Sequence, residues 1–177
     1  MEWVMKIDNK KGLPKRKHPR LDNYDYSLAG AYFITIRTQN RRRLLSRIVG
    51  RGLAPAEEKE IEYTSFGEIA EEQLFLLEDR CSNLSIDQYV IMPNHIHAIM
   101  ILKGEAAGAS PRPTITDIVC SYKSLTTREC KKNGLAVKLF QTSFYDHIIR
   151  NYKDYEEHVK YIYENPIRWY FDELYTE

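Results

Sequence analysis

The spacing of apolar residues changes period several times along this chain, and each change marks an element. From Ala31 to Arg37 the run Ala-Tyr-Phe-Ile-Thr-Ile-Arg is aromatic and β-branched with partial alternation, which predicts a strand. Residues 51–60 are polar and carry Gly52 and Pro55, and Ile61-Glu62-Tyr63 is either a short second strand or a lead-in to the helix after it. Phe66, Ile69, Leu74 and Leu77 then share one helical face through about Asp79, and Ser65 followed by Glu68 has capping-box spacing. Leu84 to Val90 and Ile91 to Leu102 are apolar, and the Pro93-Asn94 break within them predicts a bend between two strands. Lys103 to Pro113 is small and turn-rich, a connecting loop. Thr114 with Asp117 repeats the capping spacing ahead of Ile118, Val119, Tyr122 and Leu125, the buried stripe of a helix reaching about Lys131. Phe140 to Ile149 looks like another strand. Asn151 with Asp154 opens a last helix that ends before Asn165-Pro166, because the residue before proline is pushed out of the α region.

Strands mixed with three capped helices predict an α+β sandwich: a mainly antiparallel sheet with helices mainly on one face. A chain of 177 residues with 43% hydrophobic positions suits one domain, 21–177, preceded by an arm, 1–20, that lacks periodicity and holds Pro14 and Pro19 among its lysines. Cys81, Cys120 and Cys130 leave one thiol unpaired under any bridging scheme and show no CxxC spacing, so reduced thiols in the cytoplasm are expected. No apolar run approaches the ~20 residues of a membrane span, and the start of the chain lacks a signal-peptide pattern.

The net charge of +1 argues against a polyanionic partner until it is divided by segment. Residues 1–50 carry 12 basic and 4 acidic side chains, residues 51–80 carry 3 and 9, and residues 81–177 carry 11 and 12. The basic excess is gathered in one cluster containing Lys15, Arg16, Lys17 and Arg20 and another containing Arg41, Arg42 and Arg43, with Lys123 on the polar face of the second helix. Such clusters are either solvated charge or a surface that meets phosphates.

Candidate chemistry starts at His95-Ile96-His97. Residues two apart in a strand face the same way, about 6.6 Å apart, so both imidazoles can converge on one divalent ion while Ile96 points into the core. The alternative is a pair of hydrogen-bonded core histidines. On the last helix, Asp154, His158, Tyr161 and Asn165 share one face and Tyr152, Tyr155, Val159 and Ile162 another about 120° away. Tyr161 and Asn165, one turn apart, can bring a phenol and an oxygen ligand to one point, although most of the 13 tyrosines must be packing or surface residues.

Arg20-Leu21-Asp22-Asn23-Tyr24-Asp25-Tyr26-Ser27, Gly30 to Arg37, Met92-Pro93-Asn94-His95-Ile96-His97, Tyr122-Lys123-Ser124, Tyr145 to Asn151 and Tyr161-Ile162-Tyr163-Glu164-Asn165-Pro166 together resemble the REP-associated tyrosine transposases. These belong to the single-strand DNA endonucleases named HUH, for His-hydrophobic-His. The resemblance spans about residues 20 to 168. It implies a ferredoxin-like fold, a metal-dependent enzyme, His95, His97 and Asn165 as metal ligands, Tyr161 as nucleophile, and Mg²⁺ or Mn²⁺ as cofactor. It further implies cleavage and rejoining of single-stranded, hairpin-bearing DNA through a 5′-phosphotyrosine. The basic clusters and Lys123 would then hold phosphates. His147 and His158 stay unassigned, as do monomer or homodimer and a tyrosine acting in cis or in trans. Other readings are a catalytically idle hairpin-DNA-binding protein, a replication initiator or relaxase, and a histidine-triad hydrolase. The last is weakened by Ala98 and Ile99 where a third histidine would stand.

Overall fold

The computed structural model describes residues 24–49, 60–104 and 113–175. Four strands, β1 (Gly30–Arg37), β4 (Leu84–Ile91), β5 (His95–Leu102) and β6 (Tyr145–Ile149), make one sheet in the order β4-β5-β1-β6, every neighbouring pair antiparallel. Helix α1 (Ser65–Arg80) links β1 to β4, α2 (Ile115–Lys132) links β5 to β6, and α3 (Tyr152–Glu164) comes after β6. This is the split βαβ arrangement of a ferredoxin-like α+β fold, as expected. The segment Ile61-Glu62-Tyr63, left open by the sequence, lies in β3 (Glu60–Tyr63), which pairs with β2 (Ser46–Val49) as a separate two-stranded ribbon.

Strand alternation sorts the sheet into two faces. Tyr32, Ile34 and Ile36 of β1 join Ile96, Ala98, Met100 and Leu102 of β5 in a large core closed by Ala70, Leu74 and Leu77 of α1 and Ile118, Val119 and Tyr122 of α2. The opposite residues, Phe33 of β1, Val90 of β4 and Ile99 of β5, form a smaller core with Ile162 of α3 and Trp169. Two helices therefore cover one face and α3 covers the other, the face onto which His95 and His97 project.

Three local details depart from the sequence pattern. The N-cap of α1 is Thr64, not Ser65. Its hydroxyl accepts from Gly67 N and sits 2.6 Å and 3.0 Å from the carbonyls of Leu44 and Leu45, a tether that fixes where the helix begins. Gly67 is required at this junction, since a Cβ there would stand 1.9 Å from the Leu45 carbonyl oxygen. The strand foreseen over Phe140 to Ile149 is confined to β6, and Phe140 forms only an isolated bridge with Thr38. Asn165 keeps helical dihedrals (φ −58°, ψ −44°) despite Pro166, with its side chain bonded to Asp172 in the turn after α3.

In β4 the pairing register slips between Ile86 and Gln88, and the intervening Asp87 accepts a 2.6 Å hydrogen bond from the Tyr155 hydroxyl of α3. The irregularity thus turns a carboxylate toward the helix that carries Tyr161. Among the described residues no helix is long and apolar enough to cross a membrane. The basic arm, with Lys15, Arg16, Lys17 and Arg20, lies outside the described residues.

Candidate active site

His95 and His97 enter β5 from the Met92-Pro93-Asn94 bend, which is pinned by bonds from Met92 N to His95 O (2.8 Å), Leu45 N to Pro93 O (3.0 Å) and Thr38 N to Asn94 O (2.9 Å). Both imidazoles are buried, with ring centroids 4.5 Å apart. Each is anchored at Nδ1. His95 Nδ1 donates to Asn94 Oδ1 at 2.8 Å, and His97 Nδ1 shares a 2.9 Å hydrogen bond with Thr35 Oγ1, the residue opposite it in the β1–β5 register. The anchor of His95 is itself fixed, because Asn94 Nδ2 donates to the carbonyls of Leu174 (2.7 Å) and Arg41 (3.3 Å).

The remaining ring nitrogens are the informative atoms. His95 Nε2, His97 Nε2 and Asn165 Oδ1 are all buried and have no hydrogen-bond partner among the described residues. A buried polar atom left unsatisfied costs about 1–3 kcal/mol, so three at one place call for something that satisfies them together. Two neutral imidazole nitrogens and an amide oxygen form a donor set that fits a divalent cation, with Asn94 and Thr35 as the outer partners that metal-binding histidines usually have.

Electrostatics agrees with that role. Burial depresses the pKa of His95 to about 4, partly offset by the Asp172 carboxylate and by Asn165 beside it. Burial, then His95, Arg37 and His158, hold His97 well below its ordinary value. Both rings are neutral at neutral pH and available as ligands.

Asn165 reaches the site from the end of α3, and its orientation has a specific cause. Its Nδ2 donates to Asp172 Oδ2 at 2.9 Å, while Asp172 Oδ1 accepts from Leu174 N at 2.6 Å. An ionised carboxylate only accepts, so it draws the amide nitrogen to itself and leaves Oδ1 facing the histidine side. No spacing rule in the sequence marks Asp172, Asn94 or Thr35. Asp172 comes from the turn after α3, and Thr35 is found only through strand register.

Tyr161 stands edge-on to His97, with ring centroids 5.0 Å apart, in the same chain and on the same face of the sheet. Phe33 packs against the rings of His97 (5.2 Å), His158 (4.5 Å) and Tyr161 (5.9 Å). Burial and then the Asp172 carboxylate raise the pKa of the Tyr161 phenol, with Asn165 acting in the opposite sense. The ring is 44% exposed and borders a cleft of about 730 Å³ that also meets His97, Asn165, Arg37 and Arg168. The face of α3 read from the sequence is the one that carries Tyr161 and Asn165 into this cleft. The other face packs Tyr155, Val159 and Ile162 into the smaller core.

The basic residues divide. Arg41, Arg42 and Arg43 are exposed and do not line the cleft; Arg41 donates at 3.2 Å to the carbonyl of Glu173, which does line it, and Arg43 lies 5.0 Å over the Tyr175 ring. Lys123, on α2 behind the sheet, is not brought to the cleft. It donates to Thr142 O at 2.8 Å and lies 5.8 Å from the Phe144 ring centroid.

No family model matches the chain. An uncharacterized protein of Haemophilus influenzae is 29% identical over 181 residues, covering 94% of this chain and 96% of that protein. The REP-associated tyrosine transposase of Escherichia coli is 29% identical over 143 residues, covering 81% of this chain and 70% of that one. A solved structure of a REP-associated tyrosine transposase bound to a REP hairpin superposes with a TM-score of 0.58 at 24% identity, over 85% of this chain and 74% of the other, a likeness of fold. Relatives in sequence and in fold thus support the family that the motifs suggest: this chain is similar to the REP-associated tyrosine transposases.

Proposed function

We propose that the chain is a DNA strand-transfer enzyme in which Tyr161 is the nucleophile and His95, His97 and Asn165 hold Mg²⁺ or Mn²⁺. The observation that carries this reading is the set of three buried, unpartnered atoms, His95 Nε2, His97 Nε2 and Asn165 Oδ1, beside the Tyr161 ring. When bound, the ion supplies Lewis-acid polarisation of a phosphate oxygen and offsets charge that builds up on the phosphate. The chain's own residues do the rest. Asn94, Thr35 and Asp172 hold the three ligands in orientation. Tyr161 Oη forms a bond to phosphorus as the bond to the 3′ oxygen breaks; the phenolic proton is lost and the departing oxygen gains one. The products are a 5′-phosphotyrosine and a free 3′-OH. A second 3′-OH reverses the step without an external energy source, because one phosphodiester is exchanged for another.

Burial and the Asp172 carboxylate raise the pKa of the Tyr161 phenol, so removal of its proton belongs to the chemistry the site has to assist. Arg41, Arg42 and Arg43, the arm residues Lys15, Arg16, Lys17 and Arg20, and Lys123 are proposed phosphate contacts, with Lys123, behind the sheet, away from the cleft. Hairpin-bearing single-stranded DNA is the proposed substrate, a reading supported by the solved neighbour that is bound to a REP hairpin. A single catalytic domain over residues 21–177, acting in the cytoplasm as a monomer or homodimer, completes the reading.

The test is incubation of the protein with labelled single-stranded hairpin DNA and Mn²⁺. A denaturation-resistant protein–DNA adduct is expected with the wild type and none with Tyr161→Phe. An adduct with Tyr161→Phe would assign the nucleophile elsewhere. Tight hairpin binding without any adduct would leave an idle DNA-binding protein.

A further inference from the structure

A second group of ligand-type side chains lies against the Phe33 ring. Asp154 Oδ1 is 2.9 Å from His147 Nε2 and 3.1 Å from His158 Nδ1, and Asp154 Oδ2 is 3.0 Å from His147 Nε2. One donor atom from each residue falls within 4.8 Å of the other two. The two imidazoles stack 4.7 Å apart at 19°, bringing both to the same carboxylate. His147 comes from edge strand β6, while Asp154 and His158 are one turn apart at the start of α3.

We propose that His147, Asp154 and His158 bind a first-row transition-metal ion, typified by Zn²⁺, which clips the start of α3 to the edge of the sheet. Two imidazole nitrogens and one carboxylate oxygen suit Zn²⁺ and its neighbours, and suit Mg²⁺ poorly, since that ion prefers an all-oxygen octahedral shell. Donors about 3 Å apart are spaced nearly as ligands of one small ion with bonds of about 2.0–2.2 Å. The side chains of His147, Asp154 and His158 are 36%, 18% and 21% exposed, so an ion can enter from solvent and keep a water as a further ligand.

The cluster shares no ligand with the His95 site, and Phe33 packs against both His97 and His158, with ring centroids 5.2 Å and 4.5 Å away. The role of the second ion is positional: it ties β6 to the helix that carries Tyr161. Ile162 is the one buried residue of α3, and Tyr161 lies one turn beyond His158, so a clip at His158 bears on where the tyrosine stands. In the metal-free chain the same atoms are joined by hydrogen bonds, including His158 Nδ1 to the Asp154 carbonyl at 2.7 Å, so removing the ion leaves the cluster assembled.

The experiment counts Zn²⁺ bound to the full-length protein after dialysis against a weak chelator, by elemental analysis. Two ions per chain are expected for the wild type, one for His147→Gln, one for His97→Gln and none for the double variant. Co²⁺ loaded into His97→Gln should give visible absorption that disappears when His158→Gln is added. One ion in the wild type, kept by His147→Gln and His158→Gln and lost by His97→Gln, overturns the proposal and leaves the cluster a hydrogen-bonded clip. One ion lost by His147→Gln and kept by His97→Gln supports it, and instead removes the metal from the His95 site. Circular dichroism of each variant confirms that losses are not unfolding.

Discussion

Asp172→Asn tests the inferred cause of the Asn165 orientation. The native carboxylate accepts from Asn165 Nδ2 and cannot donate, so the amide oxygen is left without a partner on the histidine side. An asparagine at position 172 offers both a donor and an acceptor, so the Asn165 amide can turn over and point its nitrogen at the metal. The substitution also removes the carboxylate that supports positive charge at His95. Replacing an outer partner of a metal ligand typically weakens binding about 10- to 100-fold, equivalent to roughly 1.4–2.7 kcal/mol. Mn²⁺ affinity of the purified protein, measured by titration calorimetry in a His147→Gln background, should fall by that factor while the melting temperature changes little. The compensating change is Asn165→Asp. In Asn165→Asp/Asp172→Asn the polarity of the bond is reversed: the new amide donates to one oxygen of the new carboxylate, and the other oxygen faces the ion. Affinity should recover to within a few-fold of the parent, giving a coupling that neither single variant predicts. Unchanged Mn²⁺ affinity in Asp172→Asn, or a double variant no better than the worse single one, would refute the argument.

Three further outcomes rest on the same geometry. His95 has a folded pKa of about 4 against an unfolded value near 6.5, so between those values the unfolded state binds more protons. The melting temperature of the metal-free protein should therefore hold above about pH 6.5 and drop as pH falls toward 4, and a flat profile across that window contradicts the assigned burial. Gly67→Ala puts a Cβ 1.9 Å from the Leu45 carbonyl, and urea denaturation should show a loss of about 1–3 kcal/mol. Ile162→Ala removes the one buried side chain of α3, and a stability loss of about 2–5 kcal/mol is expected in the same assay.

The parts of the fold set by periodicity were legible in the sequence, and those set by distant contacts were not. The His-Ile-His order set Ile96 toward the large core and the two histidines toward the other face, and the wheel of α3 separated Tyr161 and Asn165 from Tyr155 and Ile162. The cap of α1 was misplaced by one residue because both Thr64 and Ser65 are competent caps, and the choice is made by the carbonyls of Leu44 and Leu45. Asn165 was expected to leave the helical region before proline. Its bond to Asp172 accompanies helical dihedrals there, and local rules contain no term for that bond. Lys123 was grouped with the arginines by charge alone. Which face of a sheet a helix covers is a property of topology, and topology put α2 behind the site. Asp154 and His158 were visible as a one-turn pair, but the meeting with His147 depends on how α3 folds back along β6.

How α3 is held bears on how the nucleophile is presented. Ile162, with Tyr155 and Val159 packed beside it, holds α3 to the smaller core. Polar bonds anchor it further along its length: His147 to Asp154 in its first turn, Tyr155 to Asp87 in the β4 irregularity, and Asn165 to Asp172 just past its end. Hydrogen bonds to charged groups contribute about 1.5–3 kcal/mol each when shielded and are directional, where apolar contact is not. A helix fixed in this way is located more by angle than by depth. That suits a tyrosine that must approach a phosphate in line while its neighbour Asn165 keeps one oxygen aimed at the histidines.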